Sequence, residues 1–146
     1  MRDDDLAQAL EQISVGAVGV TTRALAEATP GFEMTFPQWR ALLILGGEQD
    51  GARVSDVAGR VGVTLPATGR LLRRLERRGM LALERDPDDR RATRARLTQE
   101  GHATREAIIA YRRRMLTDVA REVTSSSHAD LATGLTAIAA ALGRYA

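Results

Sequence analysis

Ser55-Asp56-Val57-Ala58-Gly59-Arg60-Val61-Gly62, a linking Val63, and then Thr64-Leu65-Pro66-Ala67-Thr68-Gly69-Arg70-Leu71-Leu72-Arg73-Arg74-Leu75-Glu76-Arg77-Arg78-Gly79 form the stretch from which the rest of the chain is read. Its first part predicts a two-turn helix, because Val57, Ala58 and Val61 share one face and Gly62 suits the position just past a helix end. Thr64 then caps a longer helix, with Pro66 in its first turn and Gly79 beyond its last. A short helix, a three-residue turn and a longer helix make helix-turn-helix spacing. Further on, Leu81 and Leu83 alternate with Ala82 and Glu84, and Ala95 and Leu97 alternate with Arg94 and Arg96, which predicts the two strands of a β-hairpin. The loop joining them, Asp86-Pro87-Asp88-Asp89-Arg90-Arg91, is dense in turn formers and charge, so its tip protrudes. A helix-turn-helix followed by such a hairpin is a winged helix.

Upstream, Thr35 and Gln38 have capping-box spacing with Pro37 in the first turn, predicting a helix to about Glu48. Its residues Trp39, Leu42, Leu43, Ile44 and Leu45 wrap most of the way round, as in a helix buried on several sides. Before it, Leu6, Leu10, Ile13, Ala17, Val20 and Ala24 recur in steps of four and three behind three aspartates, a coiled-coil-like seam that Pro30 and Gly31 end. Downstream, Thr98-Gln99-Glu100 opens a long helix to about Val123. Ala103, Ala107, Tyr111, Met115, Val119 and Val123 recur along it every four residues. A last helix, capped by Ser127 with Asp130 three residues on, carries Leu131, Leu135, Ile138 and Leu142. The expected fold is therefore mainly α with a small β-hairpin wing. A single domain spans 1–146, with a winged helix-turn-helix lobe at 35–98 flanked by terminal helices at 1–30 and 99–146.

Charge sharpens this reading. All 21 basic residues are arginine, a bias that a G+C-rich coding sequence would produce by itself, so their positions carry the information. Residues 51–98 hold 12 arginines against six acids, net +6, whereas the remainder is net −4. Segregation of this kind is the electrostatic footprint of a module that docks on phosphate backbones. On the longer helix, at 100° per residue, Thr68, Leu71, Leu72 and Leu75 fall within about 100° of arc and the opposite face carries Pro66, Arg70, Arg73 and Arg77, flanked by Gly69 and Arg74. An ordinary solvated face would mix acids among its bases for i,i+4 pairing, yet Glu76 is the one acid between Pro66 and Gly79. Arg70 is placed to reach guanine O6 and N7 in a major groove, and Arg73, Arg74 and Arg77 to grip phosphates. In the hairpin loop, Asp89 is close enough to brace Arg91 outward for insertion into a minor groove. A turn held by local ion pairs would look the same.

The run 86–91, followed by Leu97-Thr98-Gln99-Glu100-Gly101 and preceded by Leu75-Glu76-Arg77-Arg78-Gly79-Met80, resembles the wing signature of MarR-type transcriptional regulators. The resemblance covers residues 6–145, by motif in the centre and by pattern at the ends. It implies a homodimer built from the first helix and the last two, each protomer reading one half of a pseudo-palindromic operator in double-stranded DNA. It also implies that Arg91 enters the minor groove with Asp89 as its brace, and that Leu65, Pro66, Ala67, Thr68 and Arg70 meet the bases. Gly69 departs from the Thr or Ser common in that family. Such regulators are usually repressors released by a small aromatic effector, bound in a cleft that Trp39, Tyr111 and Met115 would line here. Apolar residues at helical spacing are more often plain core.

Other classes find less in the sequence. Zero cysteines exclude disulfides, Cys-ligated zinc and thiol redox sensing. His102 and His128 stand on different predicted helices, in neither metal-ligand nor triad spacing, so no enzyme and no cofactor is expected. No apolar run approaches a membrane span, and the acidic start Met1-Arg2-Asp3-Asp4-Asp5 is unlike a secretory signal, so no membrane partner and a cytoplasmic address are expected. Arg112-Arg113-Arg114 reads as a solvated helix face. Two alternatives stay open: a winged-helix protein-interaction module, and an architectural DNA binder with weak sequence preference.

Overall fold

The computed structural model describes residues 3–123 and 128–145 and divides into two compact units, 1–115 and 116–146. The first unit contains α1 (Asp3–Ala28), α2 (Phe36–Gly46), β1 (Ala52–Arg53), α3 (Val54–Val61), α4 (Leu65–Arg77), β2 (Leu81–Arg85), β3 (Thr93–Leu97) and most of α5 (Gln99–Glu122). The second holds the end of α5, then α6 (His128–Leu142) and a 3₁₀ turn at Gly143–Tyr145. The architecture is mainly helical with one small antiparallel sheet, as expected of a winged helix.

Local chemistry sets most boundaries. At α2 the capping box is complete: the Gln38 amide donates to Thr35 Oγ1 at 3.4 Å, and the Thr35 N–H donates to Gln38 Oε1 at 3.0 Å. Helix α3 ends at Gly62 with φ +81°, a left-handed conformation natural to glycine. The Thr64 hydroxyl accepts from the Ala67 amide at the start of α4. The predicted cap Ser127 lies outside the described residues.

The sheet has one strand more than the sequence suggested. Ala52 and Arg53 pair with Ala95 and Arg94, so the order is β1-β3-β2 and the hairpin is backed by a third short strand. Two residues between glycines and a helix give no period-2 signal, which is why β1 was illegible. Hairpin register runs from Leu81↔Leu97 to Arg85↔Thr93, and the Asp86 N–H to Ala92 carbonyl bond at 3.0 Å closes the loop. Strand β2 is an edge, and its Leu83 N–H finds Glu76 Oε1 at 3.1 Å. The lone acid of α4 is thereby engaged with the sheet.

The core gathers Trp39, Leu42 and Leu45 from α2, Val57 and Val61 from α3, Leu72 and Leu75 from α4, the sheet residues Leu81, Ala95 and Leu97, and Ile108 from α5. Each such Leu contributes about 1.5–3 kcal/mol by leaving water. Trp39 belongs wholly to this core, so it does not line an open cleft. The expected apolar stripe of α5 is corrected. Ala103, Ala107, Val119 and Val123 are exposed, Tyr111 and Met115 are half-buried, and the buried residues are Gly101 and Ile108. Strict four-residue spacing advances about 40° per step, so a stripe of six positions swings off any one face, whereas a seven-residue step returns to it.

Joining the wing to α5 is a compact knot. The Thr98 hydroxyl donates to the Gly79 carbonyl and accepts from the Gly101 amide, and the Thr98 N–H donates to the Met80 carbonyl. A Cβ at Gly101 would collide with that same Met80 carbonyl oxygen. This explains Leu97-Thr98-Gln99-Glu100-Gly101 as a joint. On α1 only Thr21, Ala24 and Leu25 are buried, leaving Leu6, Ile13, Val15 and Val18 exposed, and α6 buries none of its described side chains. Among the described residues, no helix is long and apolar enough to cross a membrane.

Candidate nucleic-acid interface

Helix α4 presents the lobe's basic face because its other side is fixed by Thr68, Leu72 and Leu75, all fully buried. Arg70, Arg73, Arg74 and Arg77 are consequently exposed. Leu65 and Pro66 are exposed in the first turn, and Ala67 is half-buried. Thr68 is a correction to the expected contact set: its hydroxyl donates to the Thr64 carbonyl at 3.0 Å inside the protein, and it cannot reach a partner outside. A single threonine fits an apolar face and a contact face equally well by type, and its position 100° from Ala67 turns it inward.

Between α4 and the wing runs a groove of about 580 Å³. Pro66, Gly69, Arg70 and Arg73 border it on the helix side and Arg91 and Thr93 on the wing side, and Ser55 of α3 also lines it. Arg70 also borders a smaller recess of about 210 Å³ between α4 and the start of α2, where Arg74 lies beside Pro37 and Gln38. Arg77 borders neither. The structure thus brings Pro66, Arg70, Arg73 and Arg91 around one channel, with Arg74 and Arg77 beside it. Ser55 and Thr93, which no sequence motif marked, join them.

The cations sort into two groups. Arg60 pairs with Glu48 at 2.7 Å, Arg96 with Glu84 at 3.2 Å, and Arg53 and Arg94 with Asp86 at 3.0 and 3.1 Å. Arg78 lies over the Phe32 ring, 4.8 Å from its centroid. By contrast, Arg70, Arg73, Arg74, Arg77, Arg90 and Arg91 have no carboxylate within ion-pair distance among the described residues. Arg85, the last residue of β2, is exposed and likewise without a carboxylate partner among the described residues, so the uncompensated charge of 51–98 lies along α4, at the end of β2 and at the wing tip.

The wing tip is organised by an aspartate whose role the sequence does not disclose. Asp86 is 1% exposed, and its carboxylate accepts from Arg53, from Arg94 and from the backbone N–H groups of Asp88 and Asp89 at 2.9 and 3.1 Å. The Arg53 guanidinium, with those backbone donors, holds its pKa well below the usual carboxylate range despite burial, and Asp86 in turn raises that of Arg53. Asp at the head of a turn is a readable signal, but partners 33 and eight residues away are not. Asp89 braces the tip differently from the expected carboxylate–guanidinium contact. Its Oδ1 accepts from the Arg91 backbone N–H at 3.0 Å, which fixes the main chain and leaves the guanidinium unpaired.

Comparison with known proteins follows the same lines. Residues 32–92 match the sequence model of the MarR family. No curated protein matches the chain in sequence. Among solved structures, RV1404 from Mycobacterium tuberculosis is 26% identical, with a TM-score of 0.84 over 98% of this chain and 96% of that one. The transcriptional regulator Tm0710 from Thermotoga maritima is 20% identical, with a TM-score of 0.75 over 98% and 97%. A point mutant of S. aureus MepR, solved bound to an oligodeoxyribonucleotide, is 23% identical, with a TM-score of 0.69 over 94% and 97%. The segment that resembles the MarR family in sequence spans the helix-turn-helix and most of the wing, and the same fold recurs along the whole length of these solved structures.

Proposed function

We propose that the protein is a DNA-binding transcriptional regulator, a homodimer that reads a pseudo-palindromic operator and acts as a ligand-responsive repressor. The observation that carries the DNA-binding reading is the grouping of cations: the arginines of the exposed α4 face and of the wing tip have no carboxylate partner among the described residues, and Arg70, Arg73 and Arg91 border one groove. In this reading α4 lies in the major groove with Arg70 on base edges, and Arg91 enters the neighbouring minor groove. The intervening phosphates run along the channel, gripped by Arg73, with Arg74 and Arg77 on the flanking backbone. Ser55 and Thr93 add hydroxyl donors to that backbone. The MepR mutant solved bound to an oligodeoxyribonucleotide supports DNA binding by this fold.

Dimerisation is supported by the exposed apolar residues of α1, among them Leu6 and Ile13, whose seven-residue separation puts them on one face. A small aromatic effector is supported by the fold it shares with MepR, which has been solved bound to ethidium bromide. Titrating ethidium into the DNA-free protein in a calorimeter tests that part, and an absence of heat would remove ethidium-like cations from consideration. The central test is fluorescence anisotropy against the DNA just upstream of the coding sequence and an unrelated duplex, across a salt series. Tight, sequence-dependent binding with a steep negative slope in log[salt] is expected. Equal binding to both duplexes would favour an architectural role, and binding to neither would favour a protein-interaction module.

A further inference from the structure

Arg53 and Arg94 carry the same charge as the arginines of the interface and adjoin it in sequence: Val54 and Ser55 follow Arg53 into the groove, and Thr93 precedes Arg94 there. Yet both point their guanidinium groups at Asp86. Oδ2 accepts from Arg53 Nε at 3.0 Å and from Arg94 Nε and Nη2 at 3.2 and 3.1 Å, while Oδ1 accepts from Arg53 Nη2 at 3.3 Å. Arg94 has a second hold, donating to the Gly51 carbonyl at 2.9 Å. Arg53 has no acceptor besides Asp86 among the described residues, and its side chain is 38% exposed. The same carboxylate anchors the turn that carries Arg91, through the Asp88 and Asp89 amides.

We propose that Asp86 is a positioning residue that sets the balance between reading and gripping at the wing, by withholding Arg53, and with it Arg94, from phosphates while it fixes the turn that aims Arg91. The proposal rests on the DNA-binding reading above. A guanidinium free beside the channel would neutralise a further phosphate on any duplex, raising affinity without regard to sequence. A buried carboxylate that holds two guanidinium groups and two turn amides suppresses that contribution while keeping the minor-groove contact in register. Stability alone would not require the particular cations next to the groove to be the ones withheld.

The test uses the full chain and two duplexes of equal length, one A·T-rich with a narrow minor groove and one wholly G·C, titrated across a salt series. Wild type should prefer the A·T-rich duplex. Asp86→Asn keeps an acceptor for the turn amides but removes the charge. It should bind both duplexes more tightly at low salt and steepen the slope of log K against log[salt] by about 0.9 for each guanidinium released. Its preference for A·T should shrink toward unity. Arg53→Ala in the presence of Asp86 should leave slope and preference unchanged, because that charge is already withheld. The double variant Arg53→Ala with Asp86→Asn should recover most of the wild-type slope. A parallel loss of affinity for both duplexes in Asp86→Asn, with no steepening, would overturn the proposal and reduce Asp86 to a fold contact. Should Asp86→Asn fail to fold, a fall of about 0.9 in the slope of Arg53→Ala would overturn it equally, since Arg53 would then already be gripping DNA. If wild type binds neither duplex at low salt, the DNA-binding reading fails first and this proposal with it.

Discussion

Arg91 is exposed at the wing tip with its backbone N–H held by Asp89 and its guanidinium unpaired, so truncation removes a contact without disturbing the turn. Arg91→Ala should weaken binding to A·T-containing duplexes by about 1–3 kcal/mol, whereas Arg70→Ala should mainly erode discrimination between major-groove sequences. Anisotropy titrations against matched duplexes check both, and unchanged affinity in the two variants would sink the interface. Two glycines separate packing from recognition. At Gly69 a Cβ would meet open space and the backbone is ordinary helix, so Gly69→Ala should stabilise the fold by about 0.5–1 kcal/mol in urea. At Gly101 a Cβ would meet the Met80 carbonyl oxygen, so Gly101→Ala should destabilise by at least about 1–3 kcal/mol. Equal midpoints for the two alanine variants would contradict the geometry.

At the scale of elements, the wing owes its shape to an ion-paired carboxylate, which makes it acid-sensitive in a definite direction. The folded pKa of Asp86 is depressed below its ordinary 3.8, so its pairing with Arg53 and Arg94 contributes fully above that value and is lost as pH falls below it. Thermal midpoints should therefore be insensitive to Asp86 between about pH 5 and 7 and decline below about pH 4, and Asp86→Asn should lack that portion of the decline. An identical acid limb in the variant would show that other carboxylates account for it. The same element shows what a sequence can disclose. The caps at Thr35 and Thr64 and the stops at Gly62 and Gly79 act within four residues, and all were legible. Alternation at Leu81, Leu83, Ala95 and Leu97 likewise disclosed the hairpin. Strand β1, the inward turn of Thr68 and the bonds from Asp86 to Arg53 depend on residues distant in sequence, and only the folded chain reveals them. Of the candidate interface, the arginine face of α4 was readable because amphipathicity is periodic. The withholding of Arg53 and Arg94 was not, because composition cannot distinguish a paired arginine from an available one.

For the whole molecule, Leu6 and Ile13 lie seven residues apart on one face of α1 and are exposed, as a seam that packs against a second copy would leave them in the single chain. Light scattering at micromolar concentration should give twice 15.8 kDa, and Ile13→Asp should shift the mass toward the single chain while sparing the winged-helix core. A monomeric wild type would contradict the seam. The knot at Thr98 has a mechanical corollary. Because the Thr98 hydroxyl and amide tie the first turn of α5 to Gly79 and Met80, the hairpin root has no hinge of its own and must follow α5 as a lever follows its axle. Five strand residues reach about 17 Å from root to tip. A tilt of about 10° at the root therefore sweeps Arg91 through about 3 Å, half the roughly 6 Å width of a minor groove, so a rotation too small to alter the core is large enough to withdraw the tip.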